Sequence, residues 1–356
     1  VFEKLESINW AALEHAYGSA DDVPGQMRNL VSADIEERQE ALAFFWGEVI
    51  HQGTVCSSAP YAIQFLLEVI VSPSGANRAE LLELICAYAS ASTCPEYPGD
   101  ESSVIDQCQR QVADAWREYL RLLTVSDERE RCCLALALGY CKEHAVFIVD
   151  SLKHHLSSEL SPLVTASILE CIGKLAGAEN VEYLAEFMKS SNDRLVSFIC
   201  ALSLIHNLNN DHWNQAAGVL VHYLTDTLAV DASYLKLPSS KDESGVAQVV
   251  AALCLTGKNL KGFLPDIRIG LNAVRENDTG TIGIAYSLLA YAFPDGEKYS
   301  GELSEIQYLV LELMAGSDRI WYWGNVILMF RDYDLPESRE GLSELVHNCG
   351  LKKGLT

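Results

Sequence analysis

The sequence predicts an all-α fold, an α-solenoid built of stacked helical hairpins. Three observations point there. First, the stretch Asp127–Asp226 holds three consecutive copies of one unit. DERERCCLALALG from Asp127, SPLVTASILECIG from Ser161 and DRLVSFICALSLI from Asp193 align without gaps, with starts 34 and 32 residues apart (161 − 127 and 193 − 161). A repeat of that length is the signature of a helical solenoid. Second, each copy carries a second amphipathic stretch after a turn: HAVFIVDSL from His144, NVEYLAEFM from Asn180 and HWNQAAGVLVHYL from His212. Third, 49% of residues are apolar and only 10 of 356 are proline, a balance that suits helices filled by Leu, Ala, Ile and Val.

Taken in order, Ile8 to Tyr17 reads as a short helix, with Trp10 and Leu13 on one side. Val23-Pro24 opens a second helix, with Asp21 and Asp22 beside its positive end. Asp34 caps a third, with Glu37 three residues on as a capping-box variant. Phe45, Trp46, Val49 and Ile50 continue that helix, and His51-Gln52-Gly53-Thr54 reads as its C-terminus, with Gly53 in the left-handed cap. Pro60 opens the next helix, which ends at Ser72-Pro73-Ser74-Gly75, and another spans about 76–92. Thr93 to Glu101 is a loop, and one long helix is expected over about 102–123. The three repeat copies follow. Asp231 to Ser244 (DASYLKLPSSKDES) reads as irregular, the best linker or loop candidate in the chain. Helices resume near 244–257, 260–276, 279–293, 302–315, 317–331 and 336–348. The expected organisation is one array over residues 1–356: N-terminal repeats over 1–92, regular central repeats over 102–230, and C-terminal repeats with a cap over 244–349.

Charge restricts the partners. The formal net charge is −23. The first hundred residues hold 15 acids against Lys4, Arg28, Arg38 and Arg78, a balance of 4 − 15 = −11. Such a surface repels phosphate backbones and anionic membranes and favours a basic partner. No apolar run reaches transmembrane length. The N-terminal VFEKLESINW lacks a secretory pattern. The eleven cysteines are odd in number, scattered and without C-x-x-C, which fits buried thiols in a reducing cytoplasm.

The run Trp10-Ala-Ala-Leu13-Glu14-His15-Ala16-Tyr17-Gly18, then Asp22-Val23-Pro24, then His51-Gln52-Gly53-Thr54-Val55, resembles a family of bacterial HEAT-repeat-containing proteins over about the first seventy residues. The remainder is similar to HEAT repeats only as Ala- and Leu-rich helix pairs. The resemblance implies a right-handed α-solenoid of HEAT-like hairpins and a protein-binding scaffold rather than an enzyme. Some bacterial members of this class resemble immunity proteins encoded beside toxins, and the expected function here is neutralisation of a basic toxin or effector domain through an acidic concave surface.

Catalytic patterns are sparse. The His-Glu dipeptides of HEAT-like di-iron hydroxylases are absent; Glu14-His15 and Glu143-His144 run in the reverse order. The acidity opposes a HEAT-like DNA glycosylase, and nothing specific supports a bilin lyase. His154-His155 and Cys132-Cys133 are adjacent and splay about 100° apart on a helix, poor geometry for one metal. No P-loop, nucleophile elbow or zincin motif occurs. No metal or cofactor is called for. The alternative readings are an enzyme on a HEAT scaffold acting on nucleotides or nucleobases, and a general adaptor. The expected partner-binding residues are Trp46, His51, Gln52 and Tyr61 on one side of the repeats, and Trp321 and Trp323 on the other. In a helix, Trp321 and Trp323 would point about 200° apart, leaving one at the surface as an anchor.

Overall fold

The structure is a computed structural model that describes residues 2–73, 77–93, 101–175, 180–205, 211–257 and 260–353. It is all-α, with nineteen α-helices among the described residues and five strands of two residues each. The chain divides into two compact units, Val1–Ala176 and Gly177–Thr356. Most of the loop expected at Thr93–Glu101 lies outside the described residues. No single described helix is long and apolar enough to cross a membrane.

The first unit opens irregularly. Leu5–Ser7 and Trp10–Ala12 are single 3-10 turns. Strands β1 (Glu14–His15) and β2 (Gly18–Ser19) form a hairpin. Helices α1 (Val23–Asn29) and α2 (Ile35–Phe44) follow, and α2 runs into a π-helical turn, Phe45–Val49. A second hairpin pairs β3 (Ile50–His51) with β4 (Thr54–Val55), and β5 (Ser92–Thr93) adds to β4 in parallel. The helix expected over Ile8–Tyr17 is therefore a 3-10 turn and a hairpin. The reason lies in its donors: Glu14 N–H donates to Ser57 Oγ, Ala16 N–H to Glu48 O and Tyr17 N–H to His15 Nδ1. Those groups find partners across the fold, so no helix is needed to satisfy them.

Helices α3 (Ala59–Val71), α4 (Arg78–Ser90), α5 (Glu101–Asp114), α6 (Trp116–Leu123), α7 (Glu128–Leu138), α8 (Ala145–Leu156) and α9 (Pro162–Leu175) complete the unit. They form two rows. In one, α7 lies between α4 and α9; in the other, α5 packs on α3 and α6 on α8. The single helix expected over 102–123 is broken at Ala115, whose φ/ψ is −82/6. No glycine or proline marks the break; it occurs where packing passes from α3 to α8. The expected repeat cap is present: Asp127 accepts from Glu130 N–H, satisfying one of the open donors of α7. Ser161 Oγ does the same for Val164 N–H.

The second unit holds α10 (Val181–Ser190), α11 (Arg194–Ile205), α12 (Trp213–Thr225), α13 (Thr227–Tyr234), α14 (Gly245–Leu255), α15 (Leu260–Ala273), α16 (Gly280–Ala292), α17 (Glu305–Ala315), α18 (Asn325–Asp332) and α19 (Arg339–Lys353). Two rows recur, α11–α14–α16–α18 and α12–α15–α17–α19. This is how stacked helical hairpins bury a continuous core that no single hairpin could bury. Helices α7, α9 and α11 begin at 128, 162 and 194, reproducing the sequence period.

Two expectations for this unit are overturned. Asp231–Ser244 is not an irregular linker: its start belongs to α13, and Pro238–Ser240 is a 3-10 turn. Asp231 anchors it, accepting from Tyr223 Oη, Ser244 Oγ and Gly245 N–H. Leu237 and Tyr234 are buried, the latter edge-on to Phe198. The helix expected over 317–331 is a 3-10 turn, Ile320–Tyr322, followed by extended Trp323 and then α18. Trp321 and Trp323 are therefore not spaced by helical geometry.

Candidate functional site

The sequence-predicted residues separate into distinct local settings. His51 and Gln52 belong to the β3–β4 hairpin. Its two-residue loop, Gln52-Gly53, has φ of +49° and +79°, the pattern of a type I′ turn. Gly53 is left-handed as the sequence suggested, but it turns a hairpin instead of capping a helix. The loop's carbonyl is also used, since Ser92 N–H donates to Gly53 O at 2.9 Å.

The two hairpins meet. Besides the Ala16–Glu48 bond, Ser58 N–H donates to Glu14 O. His15 is buried between them. Its Nδ1 accepts from Tyr17 N–H at 3.1 Å and lies 3.6 Å from Glu48 Oε2; Asp22 Oδ1 is 3.3 Å from Nε2. Phe44 packs edge-on to the imidazole at 5.7 Å. The arrangement holds Tyr17 outward at the loop tip, 68% exposed, with its ring edge-on to His51. Sequence reasoning placed Tyr17 inside a helix and missed it as a surface residue. The only signal was Gly18, whose φ of +128° closes the first hairpin.

Tyr61 lies in the first turns of α3, 41% exposed, its ring 6.4 Å from buried Trp10. Trp46, in the π-helical turn, is 42% exposed. The surface is acidic as well as aromatic. Glu14, Asp21 and Asp22 are exposed around the hairpins, while two arginines of the segment are engaged: Arg28 pairs with Glu6, and Arg38 donates to the carbonyls of Ser32, Ala33 and Asp34.

Trp321 and Trp323 belong to the second unit and are half-buried. Trp321 stacks on Phe330 at 4.9 Å and its indole N–H donates to Met314 O; Trp323 donates to Asp278 O. Both indole donors are thus spent within the fold. Tyr322 between them, 53% exposed, is the outward residue.

The second unit also contains a cleft of about 500 Å³ between α11 and α12, closed by Val230 of α13. Arg194, Ser197 and Phe198 line it from α11; Gln215, Gly218, Val219 and His222 line it from α12. Those positions are i, i+3, i+4 on one helix and i, i+3, i+4, i+7 on the other, so each set forms one face. The floor is apolar. Phe198 and Tyr223 rings lie 4.3 Å apart, and the phenol of Tyr223 is committed to Asp231. Burial, and then the Asp231 carboxylate, push the Tyr223 hydroxyl well above its ordinary range, so it is no acid or base near neutral pH.

The buried cysteines of the helices are poorly placed as nucleophiles. Burial raises the thiols of Cys132 to about 11 and of Cys108, Cys141, Cys200 and Cys254 to about 12, far from the depressed range of reactive thiolates. Among the described residues, no three His, Cys, Asp or Glu side chains are grouped to hold a metal. No protein-family model, curated protein or solved structure matches the chain.

Proposed function

We propose that this chain is a non-enzymatic, HEAT-type protein-binding scaffold, a right-handed solenoid in which the twin hairpins of the first unit grip a basic partner. The observation that carries this reading is the coincidence, around one hairpin, of an outward aromatic and several exposed carboxylates. Tyr17 stands on a hairpin edged by Glu14, Asp21 and Asp22, within a segment of charge −11. Rigid exposed aromatics anchor interfaces at low entropic cost, and a field of one sign steers an oppositely charged partner and fixes its register. An immunity protein that occludes a basic toxin domain fits this combination, in the cytoplasm where the free thiols remain reduced.

The test is capture of a partner from the native host on the immobilised chain, at rising salt, with wild type and a Glu14→Lys/Asp21→Lys variant. The expected result is a basic chain retained at low salt, released steeply as salt rises, and not retained by the variant. A partner held equally by both proteins at high salt would overturn the reading.

A further inference from the structure

We infer that the α11–α12 cleft is a binding site for a small amphipathic amine, with its apolar body on the Phe198–Tyr223 floor and its ammonium at the Asp226 end. The inference is independent of partner binding by the first unit.

Three observations carry it. The first is the space itself. The cleft's volume of about 500 Å³ falls within the range of small-molecule sites, which are mostly apolar with a few placed polar groups. The second is Gly218. It lies in the middle of the 13-residue helix α12, and a Cβ built on it meets nothing within 4 Å. No neighbour requires a glycine there, and a mid-helix glycine costs about 1 kcal/mol against alanine. What its missing side chain does is leave the α12 wall of the cleft open. A local rule broken without a packing reason is a place to look for function.

The third is the polarity of the unfilled groups. The arginine and the first α11 amides at the cleft mouth are engaged within the fold. Arg194 donates to Asp226 Oδ2 at 2.6 Å, and the first amides of α11, Leu195 and Val196 N–H, both donate to Asp193 Oδ1. What stands open is acceptor capacity: among the described residues, Asp226 Oδ1 and Asp193 Oδ2 take no protein donor. A carboxylate accepts at both oxygens; the amides of Asn192 and Gln215 and the imidazole of His222 line the same cleft. A protonated amine supplies up to three donors and one positive charge, matching a mouth with two acids and one paired arginine. A carboxylate or phosphate ligand would meet an arginine already paired with Asp226 and would face Asp193. The same chemistry is presented by a free amine or by a lysine beside an apolar residue on another chain.

The test uses 4-phenylbutylamine, its alcohol and carboxylate counterparts, and the capped dipeptide acetyl-Leu-Lys-amide, titrated into the full chain by calorimetry and ligand-observed NMR. The amine should bind saturably, with the alcohol and carboxylate weaker by about tenfold or more, the scale of a charge-assisted hydrogen bond. Gly218→Leu, which fills the opening, should abolish binding with the helical circular dichroism unchanged. Asp226→Asn should weaken the amine while leaving the alcohol unaffected. If the dipeptide binds more tightly than the free amine, the ligand source is a partner chain; the reverse order makes it a free metabolite-like amine. Either supports the site. A carboxylate that binds as well as the amine, undiminished binding to Gly218→Leu, or no saturable binding by either ammonium probe would overturn it. Failure here leaves the basic-partner capture unaffected, because that readout rests on Glu14 and Asp21.

Discussion

Within the first unit, residues 2–58 and the α7–α9 stack solve the same problem differently. In the stack, the backbone satisfies itself inside helices, and side chains act at the ends, as Asp127 does for Glu130 N–H. In the opening segment, side chains and distant carbonyls satisfy backbone groups one at a time: Ser57 Oγ accepts from Glu14 N–H, Glu48 O from Ala16 N–H and His15 Nδ1 from Tyr17 N–H, while the Trp10 indole N–H donates to Leu5 O. The first strategy gives regularity and repeats. The second gives irregular backbone that holds loop tips in fixed positions, which is what a recognition surface needs.

The comparison can be broken most directly at the core. Phe45, in the π-helical turn, and Leu134, in α7, are both fully buried. Phe45→Ala should cost about 3–5 kcal/mol and Leu134→Ala about 2–5 kcal/mol in urea denaturation of the full chain. Should Phe45→Ala cost under about 1 kcal/mol, the opening segment would be a loosely attached appendage and not a packed part of the unit.

Arg78 tests the joint between α3, α4 and the stack. Its guanidinium donates to Ile70 O, Ser72 O and Glu130 Oε2, with the Arg78 and Glu130 side chains only 13% and 17% exposed. Arg78→Ala strands a largely buried carboxylate and should destabilise by about 3 kcal/mol. Arg78→Ala with Glu130→Gln should recover part of that loss, measured by the same denaturation.

Smaller effects separate the two strategies. Gly53→Ala forces a side chain into φ of +79° and should cost about 1–2 kcal/mol. Asp127→Ala removes a helix cap and should cost about 1 kcal/mol. The distinguishing measurement is hydrogen exchange: Gly53→Ala should loosen Ser92 and Thr54, whereas Asp127→Ala should loosen only the first turn of α7.

The smallest expected effect is one of pH. The Glu159 side chain is 6% exposed; burial alone would raise its carboxyl, but Ser161 N–H, Arg131, His155 and Leu160 N–H together hold it below the usual range. A carboxyl lowered in the folded state contributes stability above its unfolded pKa, and that contribution is lost as pH falls through the folded value. The urea midpoint should therefore fall on acidification below the ordinary carboxylate range, with a shallower fall in Glu159→Gln. An identical pH profile in the variant would remove Glu159 from the account.

Legibility in the sequence followed the same division. The helices starting at 128, 162 and 194 were readable because cap residue, apolar spacing and turn recur in register, and each is a local property. The hairpins were not, because Ile8–Tyr17 also shows helix-compatible spacing, and its outcome depends on Ser57 and Glu48, more than thirty residues away. Asp231–Ser244 departs from its expectation for a related reason: its composition is that of a loop, and what fixes it is Asp231 reaching Tyr223 Oη and the start of α14. Of the predicted surface residues, Trp46, Gln52 and Tyr61 are partly or well exposed and His51 half-buried, but Tyr17 went unseen and the indole donors of Trp321 and Trp323 are turned to internal carbonyls.

The sequence by itself determined that this protein is helical, acidic and repetitive, because helix periodicity, capping and net charge are sums over near neighbours. Tertiary structure alone decided the twin hairpins, the break at Ala115, the anchoring of Asp231 and the α11–α12 cleft. Each depends on a backbone donor, carboxylate or open face meeting a group far along the chain, and that meeting exists only once the helices have packed.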